Sequence, residues 1–176
     1  GICGDQIFYG ANDNSSGTAM LLNLMRHYKL NPPEYSIMFI FFDAEENNLL
    51  GSFFYADNPV LPLENIEFFM ELDMIGDDGD NINCQIADNA EPALEYLNKI
   101  NSGMENPFTE LIRNPLDDYA DYYPFALKGV QSMYMETDGD TNKTYHTPRD
   151  TYENYHSTNY NRIFTLVTEF INGYRR

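Results

Sequence analysis

Residues 36–46 read SIMFIFFDAEE, an apolar run that ends directly at an acidic turn. The run 36–42 shows no alternation of apolar and polar side chains, which is typical of a strand buried on both faces of a parallel sheet. Ligands of open α/β sheets bind at the carboxyl ends of the strands. The stretch therefore predicts a buried strand that presents Glu45 and Glu46 at a functional edge of the sheet.

The rest of the chain alternates between segments with the pattern of strands and segments with the pattern of helices. This alternation predicts an α/β fold of three layers (αβα), in which a mainly parallel central sheet lies between helices. The first helix is expected to be capped by Ser15 or Ser16. At 176 residues, we expect one domain over positions 1–176. The predicted helices are 15–29, 49–56, 92–100 and 158–174, the further strands are 66–72, 82–87 and 131–136, and 104–122 is irregular.

The composition excludes several classes of function. A net charge of −18 argues against nucleic acid as a partner, because phosphate binding needs a basic face. No apolar run approaches the ~20 residues that span a bilayer. The two cysteines, Cys3 and Cys84, form no CxxC pair, so we expect free thiols rather than a thiolate zinc site, and a single disulfide remains an alternative.

Acidic residues recur along the chain in a series that ends in a histidine. Asp13 lies in GANDNSSG, Asp73 directly follows the second strand in MELDMIG, and His146 lies in TYHTPRDT. Carboxylates and imidazole are ligand types that hold zinc. Together with the Glu45–Glu46 pair they predict a zinc hydrolase, in which one glutamate binds the metal and the other acts as general base.

Each of these residues also has a simpler interpretation when it is taken alone. The glutamate pair suits the start of a solvated helix, Asp13 suits a turn, and His146 suits an exposed loop. Asp73 is harder to explain in this way, because a buried carboxylate needs a partner. Other catalytic signatures are absent from the sequence, namely HExxH, GxSxG, GxxxxGK[ST] and GxGxxG.

Taken in order, five segments resemble those of metallopeptidase family 28, the double-zinc aminopeptidase type. GANDNSSG is similar to the family's Gly-Ala-Asp-Asp-Asn-Ala-Ser-Gly, and FFDAEENNLLGS is similar to its Glu-Glu-x-Gly-Leu-x-Gly-Ser. LDMIG matches directly. ADYYPFALKGV resembles Ser-Asp-His-x-Pro-Phe-x-x-x-Gly-Ile, and YHTPRDT resembles Tyr-His-Thr-x-x-Asp-Thr. The resemblance covers nearly the whole chain and implies a zinc exopeptidase fold.

The resemblance also implies which residues bind zinc. Asp13 would bridge two zinc ions, Glu46 and His146 would complete one site, and Asp73 would belong to the other. The family carries a further histidine ligand upstream of the bridging aspartate, and no histidine precedes Asp13 here. We therefore expect that the chain starts inside the domain without its first strands, and that one zinc site at best is complete.

Four more residues receive roles from the resemblance. Glu45 would be the general base that activates water, and Tyr145 would stabilise the oxyanion of the tetrahedral intermediate. Asp121 and Asp150 would support the ligands or line the substrate pocket. The residues around Asp121 depart from the family pattern, because alanine and tyrosine flank it instead of serine and histidine.

Three functions follow as hypotheses. The first is a zinc-dependent exopeptidase that acts on peptide substrates, the second is a single-zinc acyltransferase like glutaminyl cyclase, and the third is an inactive remnant. An uncovered sheet edge would favour a homodimer or a swapped assembly. The resemblance to a commonly exported family predicts a periplasmic or secreted location.

Overall fold

The computed structural model of the chain describes residues 1–139, 143–155 and 158–175, and Cys3 is described by its backbone alone. A short antiparallel hairpin pairs β1 (Ile2–Cys3) with β2 (Gln6–Ile7). The central sheet has four strands in the order β3-β6-β4-β5. Its members are β3 (Phe69–Leu72), β4 (Asn81–Ile86), β5 (Glu110–Asn114) and β6 (Ser132–Thr137).

The sheet is mixed but mainly parallel, as predicted. β3 pairs with β6 in parallel and β4 pairs with β5 in parallel, whereas β4 and β6 run antiparallel. Because the parallel pair β3 and β6 point the same way, their carboxyl ends meet at one edge. That edge receives Asp73, which directly follows β3.

Helices cover both faces of the sheet, which confirms the predicted three-layer α/β architecture. Met133 and Met135 of β6 point into the main core, and Tyr134 between them points into a second cluster on the opposite face, as the alternation of a strand requires. α1, α3 and α5 pack on the main core, and α2 and α4 lie on the other face. Their bounds are α1 Ser15–Leu30, α2 Leu50–Asp57, α3 Glu91–Gly103, α4 Tyr122–Leu127 and α5 Tyr160–Gly173. No helix in the described ranges is long and apolar enough to cross a membrane.

The cap of α1 differs from the prediction. The cap residue is Asn14, whose side-chain Oδ1 accepts from the backbone N–H of Gly17 at 2.9 Å. Ser16 instead donates its hydroxyl to the Asn12 carbonyl at 2.7 Å. Asparagine caps as well as serine does, so the helix keeps a capping bond one residue earlier than predicted.

The predicted strand over residues 36–42 is wrong. None of these residues belongs to a helix or strand, and Phe41 is 48% exposed. A strand exists only through hydrogen bonds to a neighbour, and among the described residues no backbone–backbone bond involves this run. Residues 36–42 instead line a groove of about 1300 Å³, together with β3 and the faces of α1 and α5. We call this groove the apolar groove.

The segment predicted as irregular contains structure. β5 forms within 104–122 by pairing with β4, and α4 follows at Tyr122. Only Leu111 of β5 is buried, so the strand lacks the apolar pattern that sequence inspection relies on. Cys84 is a free, buried thiol in the core.

Candidate active site

Asp13, Glu46 and His146 converge at the edge of the sheet. His146 Nε2 lies 2.7 Å from Glu46 Oε1 and 3.3 Å from Asp13 Oδ2. One ligand atom from each of the three residues lies within 4.8 Å of the others. Two carboxylate oxygens and one imidazole nitrogen form the kind of three-ligand set that holds a catalytic zinc with an open position. The donor set therefore fits one zinc ion.

Strained backbone surrounds this group of ligands. Ala44, Met74 and His146 have positive φ, at 59°, 46° and 52°. The first directly precedes the glutamate pair, the second directly follows Asp73, and the third is itself a candidate ligand. A positive φ disfavours a side chain with a Cβ atom, and such residues concentrate at functional sites. The backbone thus holds the side chains at angles that a relaxed strand or turn would not give.

Asp150 fixes the loop that carries Asp13. Its buried carboxylate accepts the backbone N–H of Asn12 at 2.8 Å and of Asp13 at 3.0 Å. The Asp150 carbonyl accepts a third N–H, from Ala11, at 3.2 Å. Asp150 therefore supports Asp13 from behind and does not join the three ligands.

Asn14 connects the same loop to Asp73. Its side-chain Nδ2 donates to the Leu72 carbonyl at 3.1 Å, and its Oδ1 accepts from the Met74 N–H at 3.3 Å. These bonds hold the backbone on both sides of Asp73. The approach is close, because a Cβ on Gly17 would lie 2.1 Å from the Leu72 carbonyl oxygen.

Asp73 lies beside the three-residue group without being part of it. With Asp13, Glu45 and Glu46 it lines a cavity of about 300 Å³, which we call the acidic cavity. Its Oδ1 is buried and has no hydrogen-bond partner among the described residues. Burial, followed by repulsion from the charges of Asp13 and Glu45, raises the pKa of Asp73 to about 8. An orphaned oxygen of this kind fits a cation as its missing partner.

Glu45 and Tyr145, which the resemblance implies as general base and oxyanion donor, both lie beside the candidate ligands and line the acidic cavity. Burial, followed by repulsion from Glu46, raises the pKa of Glu45 to about 7. The Tyr145 ring stacks on His146 with 3.7 Å between ring centroids. Partial burial and the surrounding carboxylates raise the pKa of Tyr145 to about 12, so its hydroxyl stays protonated at neutral pH.

Asp121 is buried near Glu45 but lies apart from the ligand group. Its Oδ1 has no hydrogen-bond partner within the described chain, and burial raises its pKa. The backbone N–H groups of Asp121 and Tyr122 donate to the Glu71 carboxylate at 3.1 and 2.6 Å. Glu71 was missed by sequence reasoning, although an acidic residue inside an apolar strand was a signal of a specific partner.

The sequence pattern of peptidase family M28 matches residues 3–171. Aminopeptidase YwaD of Bacillus subtilis is 30% identical over 165 residues, which are 90% of this chain and 36% of that protein.

Two solved structures are similar over most of the chain. A zinc aminopeptidase from Bacillus subtilis is 28% identical with a TM-score of 0.79, covering 95% of this chain and 43% of the other. A glutaminyl cyclase from an Acidobacteriales bacterium is 27% identical with a TM-score of 0.76, covering 95% of this chain and 62% of the other. The chain thus spans about a third to two thirds of the length of these relatives.

Proposed function

The chain belongs to peptidase family M28, and we propose that it acts as a zinc-dependent aminopeptidase that hydrolyses the N-terminal peptide bond of peptides. The observation that carries this proposal is the convergence of His146 Nε2 on the carboxylates of Asp13 and Glu46. The names of a similar aminopeptidase and a similar zinc aminopeptidase structure support it.

Asp13, Glu46 and His146 would hold one zinc ion. A bound zinc supplies Lewis acidity, which polarises a carbonyl and lowers the pKa of water toward ~7. Asp73 and Asp13 are the residues available for a second ion, and two carboxylates alone are fewer ligands than catalytic zinc sites use. We therefore assign one zinc to this chain's own residues.

Glu45 would move the proton during hydrolysis. A carboxylate with a pKa near 7 can accept a proton from water and return it to the departing amine at neutral pH. The protonated Tyr145 hydroxyl would donate to the oxygen on which negative charge develops. Both residues directly precede a candidate ligand in the chain and line the acidic cavity with the ligand carboxylates.

The charge of the site favours substrates with a free amino terminus. Asp13, Glu45, Glu46 and Asp73 all line the acidic cavity, and the chain carries a net charge of −18. A field of this sign attracts protonated amines. An exopeptidase that must recognise a terminal ammonium group benefits directly from such a surface.

The proposal is tested with aminoacyl-anilide substrates in the presence and absence of zinc. We expect zinc-dependent release of the anilide, lost on chelation and restored by zinc. Glu45→Gln should keep bound zinc, measured by elemental analysis, and lower kcat by ~10²–10⁴-fold. Hydrolysis that survives both chelation and Glu45→Gln would refute the proposed mechanism.

A second candidate is an acyltransferase of the glutaminyl cyclase type, because one similar structure is such an enzyme and the three candidate ligands could hold a single zinc ion. A peptide with N-terminal glutamine separates the two functions: cyclisation releases ammonia and keeps the chain length, whereas an aminopeptidase releases glutamine. The third hypothesis, an inactive remnant, predicts that no zinc is retained after dialysis.

The periplasmic or secreted location remains a prediction from the resemblance.

A further inference from the structure

The acidic cavity extends beyond the four acids at the active site to a fifth carboxylate, that of Glu136. Besides the four acids at the active site, its lining includes Met74, Tyr119, Tyr134 and Glu136. The Tyr134 hydroxyl lies 2.9 Å from Glu136 Oε2 and 3.4 Å from Asp73 Oδ2. The Tyr134 hydroxyl therefore lies between the carboxylates of Glu136 and Asp73. Glu136 itself has no role in the proposed hydrolysis.

Glu136 is held in a fixed position by its neighbours in the sheet. It lies on β6 opposite Asn83 of β4, and the Asn83 Nδ2 donates to Glu136 Oε1 at 3.0 Å. With the Tyr134 hydroxyl this gives two donors, whereas an ionised carboxylate offers about four lone-pair sites. The carboxylate keeps acceptor capacity toward the cavity.

The tyrosines beside Glu136 are also fixed. The Gln85 side-chain amide donates to the Tyr119 hydroxyl, and the Tyr119 ring meets the Tyr134 ring edge-on with centroids 5.7 Å apart. Burial raises the pKa of both phenols, so they remain neutral. They offer aromatic surface to a cation without adding a positive charge.

The cavity has no cationic side chain to balance its carboxylates. No lysine or arginine is among its lining residues, and the ion pairs within the described ranges do not include Glu136 or Asp73. The buried Asp73 Oδ1 without a hydrogen-bond partner is a separate sign that a ligand is missing here. Partly desolvated carboxylates without a positive side chain beside them favour a cation of matching size.

The geometry points to Glu136 as the residue that selects substrates whose N-terminal side chain is cationic, that is, lysine or arginine. This inference rests on the proposed aminopeptidase function, because the side chain of the first residue must then lie beside the zinc ligands. A cavity of about 300 Å³ is at the lower end of ligand pockets and suits one amino-acid side chain. The aliphatic stem would contact Met74 and the tyrosine rings, and its charged end would reach Glu136.

The test measures binding first, so that it does not depend on turnover. L-lysinamide and L-norleucinamide have the same number of side-chain carbons and the same α-amine, and only the first has a side-chain ammonium. We expect the zinc-loaded protein to bind lysinamide at least ~10-fold tighter by calorimetry, which is the scale of a charge-assisted hydrogen bond. Glu136→Gln should reduce the ratio to about one. Glu110→Gln, on the exposed surface of β5, is the matched control and should leave the ratio unchanged.

The outcomes separate this inference from the proposed function. Equal binding of the two amides to the unsubstituted protein overturns the inference without any variant, and so does a ratio that persists in a folded Glu136→Gln protein. A preference for lysinamide that Glu136→Gln abolishes, without turnover of any anilide, supports Glu136 as the group that binds the side-chain ammonium and refutes the peptidase proposal. Turnover of lysyl and norleucyl anilides with equal kcat/KM supports the peptidase proposal and overturns the role of Glu136 in selecting the substrate.

Discussion

The carboxylate of Asp150 accepts the backbone N–H of Asp13 at 3.0 Å although the two residues are 137 positions apart. The same carboxylate accepts the Asn12 N–H at 2.8 Å. A buried acid thereby sets the direction of a candidate zinc ligand without touching the zinc position. Loss of an outer partner of this kind typically lowers metal affinity by ~10–100-fold.

Replacing Asp150 by asparagine should weaken zinc binding. The amide would turn an N–H donor toward a backbone N–H and lose one of the two hydrogen bonds, at a cost of ~1–3 kcal/mol in the free energy of unfolding. We expect zinc affinity, measured by competition with a chelator, to fall ~10–100-fold. The exposed Asp88→Asn serves as control. Unchanged affinity in a folded Asp150→Asn protein would show that the loop holds Asp13 without this bond.

Removing the His146 imidazole should weaken zinc binding without a comparable loss of folding stability. His146→Ala deletes one of three ligands, so zinc affinity should fall by more than a change in an outer partner causes. His27→Ala is the matched control, since His27 lies on α1 and packs edge-on against Phe164 with ring centroids 5.5 Å apart. It should lower the melting temperature slightly and leave zinc binding intact. Equal zinc content in both variants would contradict the assignment of His146.

The zinc-free protein should lose stability as the pH rises from about 4 to 8. The folded pKa values of Asp73 and Glu45, about 8 and about 7, lie above the values of unfolded carboxyl groups. The folded state therefore binds more protons in this range, and stability falls as pH rises through the folded pKa values. Melting temperatures in EDTA at pH 5 and pH 8 measure the difference.

Asp73→Asn tests the origin of this pH dependence. The amide imitates the protonated acid, so the variant should match the unsubstituted protein at pH 5 and melt at a higher temperature than it at pH 8. A pH dependence as steep as before would assign the effect to other groups. Zinc should also raise the melting temperature more at pH 8 than at pH 5, because ligands bind as the deprotonated form.

Gly17 is predicted to tolerate no side chain. Its Cβ would lie 2.1 Å from the Leu72 carbonyl oxygen, a backbone atom that cannot move aside. Gly17→Ala should cost ~1–3 kcal/mol in unfolding free energy through overpacking, although alanine favours a helix by ~1 kcal/mol. Gly103→Ala at the end of α3 has open space around it and should be neutral or stabilising. Denaturant unfolding of the two variants gives the comparison, and equal midpoints would contradict it.

The apolar groove should promote self-association. β3 is an edge strand, and Met38 and Phe41 beside the groove are exposed by 38% and 48%. Unpaired edges and exposed apolar surface pair with other chains. Sedimentation velocity should show dimers or larger species as concentration rises, and lysine at positions 38 and 41 should reduce them. A monomer at every concentration would refute this prediction.

The fold class followed from the sequence because helical and strand periodicities are local. The strands around Leu72 and Met133 are apolar over consecutive residues, and the apolar residues of α5 recur at helical spacing. Each pattern was therefore sufficient to identify its own element as a strand or a helix. The run 36–42 is as apolar as any strand, but strand formation depends on a neighbour that no local pattern reveals. β5 is the opposite case, since pairing with β4 creates a strand from a segment with one buried residue.

The candidate site was predictable in part. The order of five segments led to Asp13, Glu45, Glu46, Asp73 and His146, and the structure brings them to one edge of the sheet. Glu71 and Glu136 were not predicted, because each is a single acid within a strand and its importance comes from partners distant in sequence, Asp121 at 50 positions and Asn83 at 53. A lone acid in an apolar strand signals that a partner exists, but one sequence does not show which distant residue that partner is.

The apolar groove and the acidic cavity share four side chains. Asp13, Glu45, Glu46 and Asp73 line both. A polypeptide segment that entered the groove would therefore contact these four carboxylates from the groove side and displace water from them. Filling of the apolar groove and the state of the reacting groups are therefore linked in this molecule, and the catalytic rate would report whether the groove is filled or empty.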